Sequence, residues 1–242
     1  MSRLPTGAKV LVTGGTSGIG AELVRQLRGR GHPVVVLARR ADAMPAAPDL
    51  FPVACDLADL AALPAVMAQV MADHPDLTVL VNNAGLQLAR PLTDPALRAQ
   101  DIISEVAVNL TAPALLAQAV LPSMQAKGQG WIVNISSGLA VFPKENTALY
   151  CAAKAGLSSL TTSLRWQVEG QGIRVAEVVL PLVDTPMTAG RGRGKITAEQ
   201  AAGDILNGLA QGRDTIRVGK ARLLPLVARL APSLGLKMMR RG

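Results

Sequence analysis

A tyrosine and a lysine four residues apart form the pair of side chains best suited to acid/base chemistry. Tyr150 and Lys154 lie in the run YCAAK, and positions i and i+4 share one face of a helix. A free phenol has a pKa of about 10, so proton transfer near neutral pH needs a shift of roughly 3 units. A neighbouring ammonium group favours the phenolate and supplies part of that shift. Because Tyr150 is the only tyrosine in the chain, we predict that it transfers the proton.

Two further polar residues fit the same site. Ser137 precedes Tyr150 by thirteen residues and ends a predicted strand, where parallel sheets present ligand-binding groups. Asn109 lies in the charge-free stretch 106–126. A purely structural interpretation is open for Tyr150 and for Asn109. A tyrosine at a helix start often only packs against the core, and a buried asparagine often only satisfies backbone groups.

A glycine-rich turn between a predicted strand and a predicted helix fits a dinucleotide pyrophosphate. The run TGGTSGIG at 13–20 allows a tight turn, and the following helix offers unpaired N–H groups and the positive end of its dipole. The glycine spacing differs from the usual G-x-G-x-x-G, so a plain tight turn is the alternative. The predicted cofactor contacts here are Gly14, Thr16, Ser17, Gly18, Ile19 and Gly20.

The end of the second predicted strand distinguishes between the two nicotinamide coenzymes. NAD enzymes usually place an acidic residue there to hold the adenosine ribose, whereas this chain has Ala38 followed by Arg39 and Arg40. A guanidinium can hold a 2′-phosphate with two hydrogen bonds. We therefore predict NADP(H) as the cofactor, with NAD(H) disfavoured and Arg39 favoured as the partner. The alternative is a solvated arginine pair.

The elements that must position these residues alternate along the chain. Short β-branched runs are followed by longer helical stretches, which is typical of βαβ units. The predicted fold class is α/β, a Rossmann-type doubly wound sheet of about seven mainly parallel strands with helices on both faces. The predicted strands are residues 9–13, 33–38, 51–54, 77–81, 131–135, 173–180 and 215–218. Predicted helices run from the glycine turn to about residue 31 and over 60–73, 95–127 with Pro113 at a bend or first turn, 149–170 and 198–211.

Composition restricts the function classes. With 49% apolar and 17% charged residues in 242, the chain can bury a large core, which excludes intrinsic disorder. An aromatic content of 2% argues against stacking platforms for single-stranded nucleic acid. Cys55 and Cys151 have neither disulfide nor metal-ligand spacing, so we expect no metal and a reducing, cytoplasmic location. The stretch 106–126 contains polar residues and prolines, which predicts a buried helix rather than a membrane span.

The positive charge is concentrated at the C-terminus. Seven of the 25 basic residues and no acidic residue follow Asp214, so the net charge of +8 does not indicate nucleic-acid binding. We divide the chain into one catalytic domain, residues 1–218, and a basic amphipathic tail, residues 219–242. The tail admits subunit packing, weak peripheral contact with an anionic membrane or attraction of nucleic acid, of which subunit packing is the simplest. The segment AGRGRGK at 189–195 is expected to be mobile.

Seven short motifs resemble the short-chain dehydrogenase/reductase superfamily in its shorter form. They occur in the order and at the spacing of that family and cover nearly all of the chain up to about Val218. The motifs are TGGTSGIG at 13–20, CDL at 55–57, NNAG at 82–85, VNL at 108–110, NISS at 134–137, YCAAK at 150–154 and PLVDT at 181–185.

The resemblance implies a role for each member of a catalytic tetrad. Tyr150 would be the general acid in carbonyl reduction and the general base in alcohol oxidation. Lys154 would lower the pKa of that phenol and hold the nicotinamide ribose. Ser137 would polarise the substrate oxygen, and the family spacing selects it over Ser136. Asn109 would position a water that links Lys154 to solvent.

The resemblance also implies a coenzyme cleft and a substrate pocket. Besides Tyr150 and Lys154, the implied coenzyme contacts are Asp56, Leu57, Asn83, Ala84, Gly85, Pro181, Val183 and Thr185. The implied substrate pocket consists of Leu86, Gln87, Leu139, Phe142 and Met187, which favours apolar carbonyl compounds. Leu182 stands where the family commonly has glycine, which makes the placement of Val183 and Thr185 uncertain. Arg191, Arg193 and Lys195 either close over an anionic substrate or form a solvated loop, and the solvated loop is the simpler interpretation.

The function that follows is hydride transfer between NADP(H) and a small-molecule carbonyl or alcohol. By resemblance, a homodimer or homotetramer would form through the helices that contain Asn109 and residues 158–168. One alternative is a non-catalytic NADP(H)-binding sensor or scaffold, and another is an NAD-preferring alcohol dehydrogenase. The full tetrad favours an enzyme, because a sensor has no use for all four residues.

Overall fold

Seven parallel strands form the central sheet that the sequence predicts. The structure is a computed structural model that describes residues 4–45 and 47–240. The strands that form the sheet are β1 (Lys9–Thr13), β2 (Val34–Ala38), β3 (Leu50–Ala54), β4 (Leu77–Asn82), β5 (Gly130–Ser137), β6 (Ile173–Leu180) and β9 (Thr215–Arg217). Their order is β3-β2-β1-β4-β5-β6-β9, and every neighbouring pair is parallel. The predicted fold class is confirmed.

Helices cover both faces of this sheet, because each strand is apolar on both sides. The helices are α1 (Gly18–Gly29), α2 (Leu63–Asp73), α3 (Ala99–Val106), α4 (Ala112–Lys127), α5 (Ala148–Gln167), α6 (Ala198–Ala210), α7 (Leu224–Leu230) and α8 (Pro232–Arg240). Successive residues of β1 alternate between the two cores: Val10 and Val12 pack with α1 and α6, whereas Leu11 packs with α2, α4 and α5. This alternation decides which core each side chain enters. Because all neighbouring strands are parallel, their carboxyl ends lie at the same end of the sheet.

A crevice at the carboxyl ends of β1 and β4 is the consequence of the strand order. The chain builds the sheet outward from β1 to β3 and then crosses to β4 on the other side of β1. The loops after β1 and β4 therefore leave in opposite directions, which is where doubly wound sheets bind ligands. Thr13 ends β1 and Asn82 ends β4, so the predicted glycine turn and the NNAG motif both lie at this crevice.

The helical region 99–127 is one continuous segment with a local irregularity. Residues 107–111 form a π-helical turn between α3 and α4, and Pro113, which lacks the N–H of a regular helical hydrogen bond, follows directly after it in the first turn of α4. By length and composition this 29-residue segment, whose most apolar 18-residue stretch has a mean hydropathy of 1.4, could cross a membrane. Its buried residues Leu116, Val120 and Met124 instead belong to the core beneath the sheet, so one face of the helix is buried in the protein.

Two short strands that the sequence analysis did not predict frame the AGRGRGK segment. Strands β7 (Val183–Asp184) and β8 (Ile196–Thr197) pair in parallel on either side of it. Lys195 Nζ donates to Asp184 Oδ1 at 3.1 Å and to Thr188 O at 2.7 Å. Contacts between the two ends therefore hold a segment that was expected to be mobile.

The basic tail folds back onto the body through α7 and α8. Gly235 of α8 lies against the ring of Phe142, and a methyl group at Leu224 lies against Gly138. The tail exposes large apolar side chains, namely Leu223, Leu226, Leu230, Leu234, Leu236 and Met238. Arg241, which the sequence analysis assigned to the tail, lies outside the described residues.

Candidate active site

Helix α5 places the predicted tyrosine and lysine side by side. Its inner face carries the buried residues Leu157, Thr161 and Leu164, which fix the helix against the sheet. Lys154 Nζ lies 5.7 Å from the centroid of the Tyr150 ring and donates a hydrogen bond to Ile135 O at 2.8 Å. Only 3% of Lys154 is exposed. The ammonium group is thus held at one position between α5 and the end of β5.

A chain of buried amides holds α5 to the two central strands. Asn82 Nδ2 donates to Asn134 Oδ1 at 2.8 Å, and Asn134 Nδ2 donates to Thr161 Oγ1 at 2.8 Å. Thr161 Oγ1 in turn donates to Leu157 O at 2.6 Å. Buried polar groups that are linked in this way fix one relative position, because any shift leaves donors unpaired. The sequence analysis quoted Asn82 and Asn134 within motifs but assigned them no role.

The two serines at the end of β5 face different partners, as neighbouring residues of a strand must. Ser137 forms a side-chain hydrogen bond with Tyr150, and its Oγ accepts from Leu139 N at 3.2 Å. Ser136 is buried, and its hydroxyl lies 3.0 Å from Ser158 Oγ. Of the two serines, the structure brings Ser137 to the tyrosine.

The pKa values of the pair differ from the sequence expectation. Burial raises the pKa of Tyr150 to about 12, and its hydrogen bond with Ser137 offsets only part of that rise. Burial also lowers the pKa of Lys154 to about 8, so its positive charge is weakly held near neutral pH. The folded chain by itself therefore opposes the phenolate that the neighbouring ammonium group was expected to stabilise, because burial has the largest effect on the phenol and Lys154 is not among the groups that lower its pKa.

Asn109 lies on the π-helical turn and is fully buried. Its Nδ2 donates to Leu86 O at 2.6 Å and to Glu105 O at 2.8 Å, while its Oδ1 accepts from Leu86 N at 3.3 Å. The amide thus holds the segment after β4 in place. A role in a water relay to Lys154 stays a prediction.

A buried carboxylate, Glu105, is a site residue that the sequence analysis missed. It is 4% exposed, and its Oε1 accepts from Leu88 N at 3.2 Å. Burial raises the pKa of Glu105, whereas the hydrogen bond from Leu88 lowers it. Its charge acts on Tyr150 and raises the pKa of the phenol. The signal was available, since Glu105 precedes the candidate site residue Asn109 by one helical turn.

The glycine turn and the NNAG motif meet at the crevice. Asn83 Nδ2 donates to Thr13 O at 2.9 Å, and Thr13 Oγ1 accepts from the backbone N–H groups of Asn83 at 3.0 Å and Ala84 at 2.9 Å. A methyl group on Gly20 would collide with the carbonyl oxygen of Gly14. The residues predicted as cofactor contacts on both loops are therefore joined in one structure.

The rim of the crevice leaves polar groups available to a dinucleotide. Ser17 begins α1 without using its side chain as a cap, and Thr16 beside it is exposed, so both hydroxyls can meet a phosphate at the helix N-terminus. Arg39 and Arg40 are exposed immediately after β2. Beyond β3, Asp56 is exposed while Leu57 is buried. These residues fit a dinucleotide whose pyrophosphate lies on α1 and whose adenosine extends over β2 and β3.

The segment after β6 closes over the crevice from the other side. A methyl group on Gly18 would lie 3.1 Å from Thr185 Cγ2, and one on Gly85 would lie 3.5 Å from Met187 Cε. Val183 is buried and accepts a hydrogen bond from Thr188 Oγ1 at 2.5 Å. These contacts place Thr185 and Met187 beside the two glycine-containing loops, and the contact of Val183 and Thr185 with the coenzyme stays a prediction.

The substitution of leucine for glycine after Pro181 is compatible with this backbone. Among the described non-glycine residues only Ala89 has a positive φ, so Leu182 adopts a conformation that any residue can take. Leu182 therefore causes no backbone strain at this position.

The predicted substrate-pocket residues divide into two groups. Leu86, Gln87 and Met187 are partly buried or exposed at the crevice. Leu139 lines a cavity of about 600 Å³ between α5 and α8, together with Cys151 and Leu236. Phe142 is 3% exposed and packs against Gly235 of the tail. The tail therefore covers its ring, and a contact of Phe142 with substrate stays a prediction.

Comparisons with known proteins agree with this architecture. A sequence model described as short chain dehydrogenase matches residues 8–195. The uncharacterized oxidoreductase DltE of Bacillus subtilis is 32% identical over 87% of this chain and 88% of its own length. The crystal structure of a short chain dehydrogenase from Burkholderia cenocepacia in complex with NADP superposes with a TM-score of 0.87 at 25% identity, covering 96% of this chain and 97% of that one. A short-chain dehydrogenase from Sphingobium yanoikuyae in complex with NADPH gives 0.80 at 28% identity, covering 97% and 94%.

The pKa of the single tyrosine can be measured directly by the near-ultraviolet absorbance of the phenolate. We expect a midpoint of about 12 in the folded protein and about 10 in denaturant, because burial disfavours the charged form. Ser137→Ala should raise the midpoint further and Glu105→Gln should lower it, whereas the control Ser136→Ala should leave it unchanged. A midpoint at or below that of the unfolded chain would contradict the assignment.

Proposed function

Because this chain belongs to the short-chain dehydrogenase/reductase family of oxidoreductases, we propose that it transfers a hydride between NADP(H) and a carbonyl/alcohol pair. The single observation that carries this proposal is the placement of Ser137, Tyr150 and Lys154 at one end of the sheet, beside the glycine turn. A hydrogen-bond donor for the carbonyl, a proton donor and a coenzyme cleft would otherwise have no reason to converge.

Tyr150 acts as the proton donor in the direction of carbonyl reduction. A general acid must hold its proton before the reaction, and burial that raises the pKa of Tyr150 to about 12 ensures this at neutral pH. Ser137, hydrogen-bonded to Tyr150, donates to the same substrate oxygen and so polarises the carbonyl. At neutral pH carbonyl reduction therefore begins with the phenol already protonated, whereas alcohol oxidation requires the phenol to lose its proton first.

Lys154 stabilises the phenolate that Tyr150 becomes after it has donated its proton, and then helps to restore that proton. Its pKa of about 8 lets it lose and regain a proton near neutral pH. When charged, it favours the phenolate form of Tyr150. Its bond to Ile135 O keeps it in position through this cycle.

The cofactor is held along the crevice. A bound nicotinamide coenzyme supplies the hydride, and the protein supplies alignment and the proton. Gly14, Thr16 and Ser17 hold the pyrophosphate at the N-terminus of α1. Arg39, with Arg40 beside it, holds the 2′-phosphate that distinguishes NADP(H) from NAD(H). Support comes from the exposure of both arginines after β2.

A homo-oligomer in the cytoplasm is the setting that best suits this enzyme. Ile103 of α3 and Trp166 of α5 are 56% and 69% exposed, and they lie on the helical segments through which family members associate. Cys55 and Cys151 are free and buried, which suits a reducing compartment.

The tail provides a second, weaker association, with an anionic membrane surface. Its exposed leucines lie among Lys220, Arg222, Arg229 and Lys237. A two-fold contact between two such tails would bring like charges together, whereas anionic lipid complements both the charge and the apolar side chains.

Turnover and coenzyme choice test the proposed function together. Ketones, aldehydes and alcohols are screened by nicotinamide absorbance with both coenzymes. We expect the wild type to use NADPH in preference to NADH and Arg39→Asp to reverse that preference, because the carboxylate repels the 2′-phosphate and can bind the ribose. Arg40→Asp should have a smaller effect.

Three other outcomes of that screen would each correct the proposal. A wild type that prefers NADH would be an NAD-dependent alcohol dehydrogenase. Tight coenzyme binding without turnover of any compound would indicate the sensor or scaffold. Equal loss of both coenzymes in Arg39→Asp would show that Arg39 does not read the phosphate.

Cosedimentation with vesicles tests the tail. We expect the protein to pellet with phosphatidylglycerol vesicles and not with phosphatidylcholine vesicles. The double variant Leu226→Ser, Leu230→Ser should lose this binding, whereas Trp166→Ser, which removes an equally exposed side chain from α5, should retain it. If the variant instead alters only the oligomeric state in sedimentation velocity, the tail packs between subunits.

A further inference from the structure

The three cations of the AGRGRGK segment have different surroundings. Lys195 binds Asp184 Oδ1 and Thr188 O, so its charge is used to close the segment. Arg193 is exposed. Arg191 is partly buried, and its Nη1 donates to Gln87 Oε1 at 2.8 Å, across 104 residues of sequence. Only Arg191 therefore turns toward the crevice.

The residue that anchors Arg191 is itself rigidly placed. Gln87 lies between Leu86, which is held on both sides of its backbone by Asn109, and Leu88, whose N–H donates to Glu105. The side chain of Gln87 thus extends from a backbone clamped by the π-helical turn. A cation tied to this point has a defined position relative to the catalytic tetrad.

Arg191 lies close enough to the catalytic centre to influence it. The residues just before its segment include Thr185, which lies beside Gly18, and Met187, which lies beside Gly85. The positive charge of Arg191 acts on Tyr150 and lowers the pKa of the phenol, against the larger effect of burial. A charge that acts on the phenol also acts on whatever molecule occupies the space beside it.

We propose that Arg191, positioned by Gln87, binds a carboxylate of the substrate, so that the enzyme acts on oxo acids and hydroxy acids in preference to neutral carbonyl compounds. The proposal rests on the proposed function, since it names the substrate class of the same site.

The chemistry of this cation favours a carboxylate. The partner of Arg191 is a neutral amide, and within the part of the chain that the structure describes no carboxylate forms an ion pair with it. Glu105 is the nearby acid, and its Oε1 is bonded to Leu88 N. The guanidinium therefore keeps its charge uncompensated and further N–H donors unused, in the fork geometry that matches a carboxylate.

The other side chains beside Arg191 suit the rest of such a substrate. The apolar side chains of Leu86 and Met187 fit the carbon chain between the carboxylate and the carbonyl. The negative charge of the bound carboxylate offsets that of Arg191 beside Tyr150, so the phenol stays protonated when the substrate binds.

The test compares matched acids and esters. Straight-chain oxo acids, with one to four methylenes between the carbonyl and the carboxylate, are assayed with NADPH beside their methyl esters. We expect kcat/KM of the wild type to favour the best acid over its ester by about 10- to 100-fold, as one charge-assisted hydrogen-bonded contact supplies. Arg191→Gln should abolish this preference by lowering activity on the acid alone. The control Arg193→Gln, which removes the same charge two residues away, should retain it.

A second measurement separates this inference from the proposed function. Binding of the corresponding saturated carboxylates, which cannot react, is measured by calorimetry on the NADP-bound protein and its variants. Turnover of carbonyls with equal use of acid and ester overturns the inference and leaves the function standing. Carboxylate binding that Arg191→Gln abolishes, without turnover of any carbonyl, supports the inference and overturns the function. If Arg191→Gln chiefly raises KM for NADPH, Arg191 serves the coenzyme and the inference is wrong.

Discussion

The packing position of α5 against strands β4 and β5 is the constraint on which the whole site depends. The chain from Asn82 through Asn134 to Thr161 fixes the helix through buried polar groups that bond to one another. Its last member, Thr161 Oγ1, also donates to Leu157 O within the helix, and Asn82 Oδ1 is the one buried side-chain oxygen or nitrogen without a partner among the residues described. Because Tyr150 and Lys154 are on the same helix, their distance from the glycine turn is set by this packing rather than by the loops around them.

Burial shifts the pKa values of the phenol and the amine of the site in opposite directions. Burial raises the pKa of Tyr150 to about 12 and lowers that of Lys154 to about 8, so both groups are driven toward their neutral forms. Glu105 and Arg191 then act on the phenol with opposite signs. A phenol that holds its proton firmly suits reduction, and a bound positive charge beside it would be needed for the reverse reaction. The fold thus supplies a proton donor, and direction follows from what is bound.

Much of the fold could be predicted because local patterns and global structure coincide. Val10, Leu11 and Val12 are apolar side chains that point alternately to the two sides of the sheet. The glycine turn that follows them is typical of a link between a strand and a helix. Tyr150, Lys154 and Ser137 follow from their residue types and from the spacing of the family motifs. Glu105 escaped prediction because its one signal is its distance of one helical turn from Asn109, and its burial appears only in the packed structure. Similarly, the β7–β8 pair is too short for periodicity, and the contact of Phe142 with Gly235 joins residues far apart in sequence. The sign of the shift of Tyr150 failed to follow from sequence because burial is a property of the packed site.

The most direct test of the central claim is the turnover of Tyr150→Phe on whichever carbonyl compound the wild type reduces, with the affinity for NADPH measured beside it. The change removes one hydroxyl and keeps the ring, so the fold and the coenzyme site should persist. Loss of the proton donor should lower kcat by roughly 100- to 10,000-fold while NADPH binding stays unchanged. Turnover equal to that of the wild type would contradict the account.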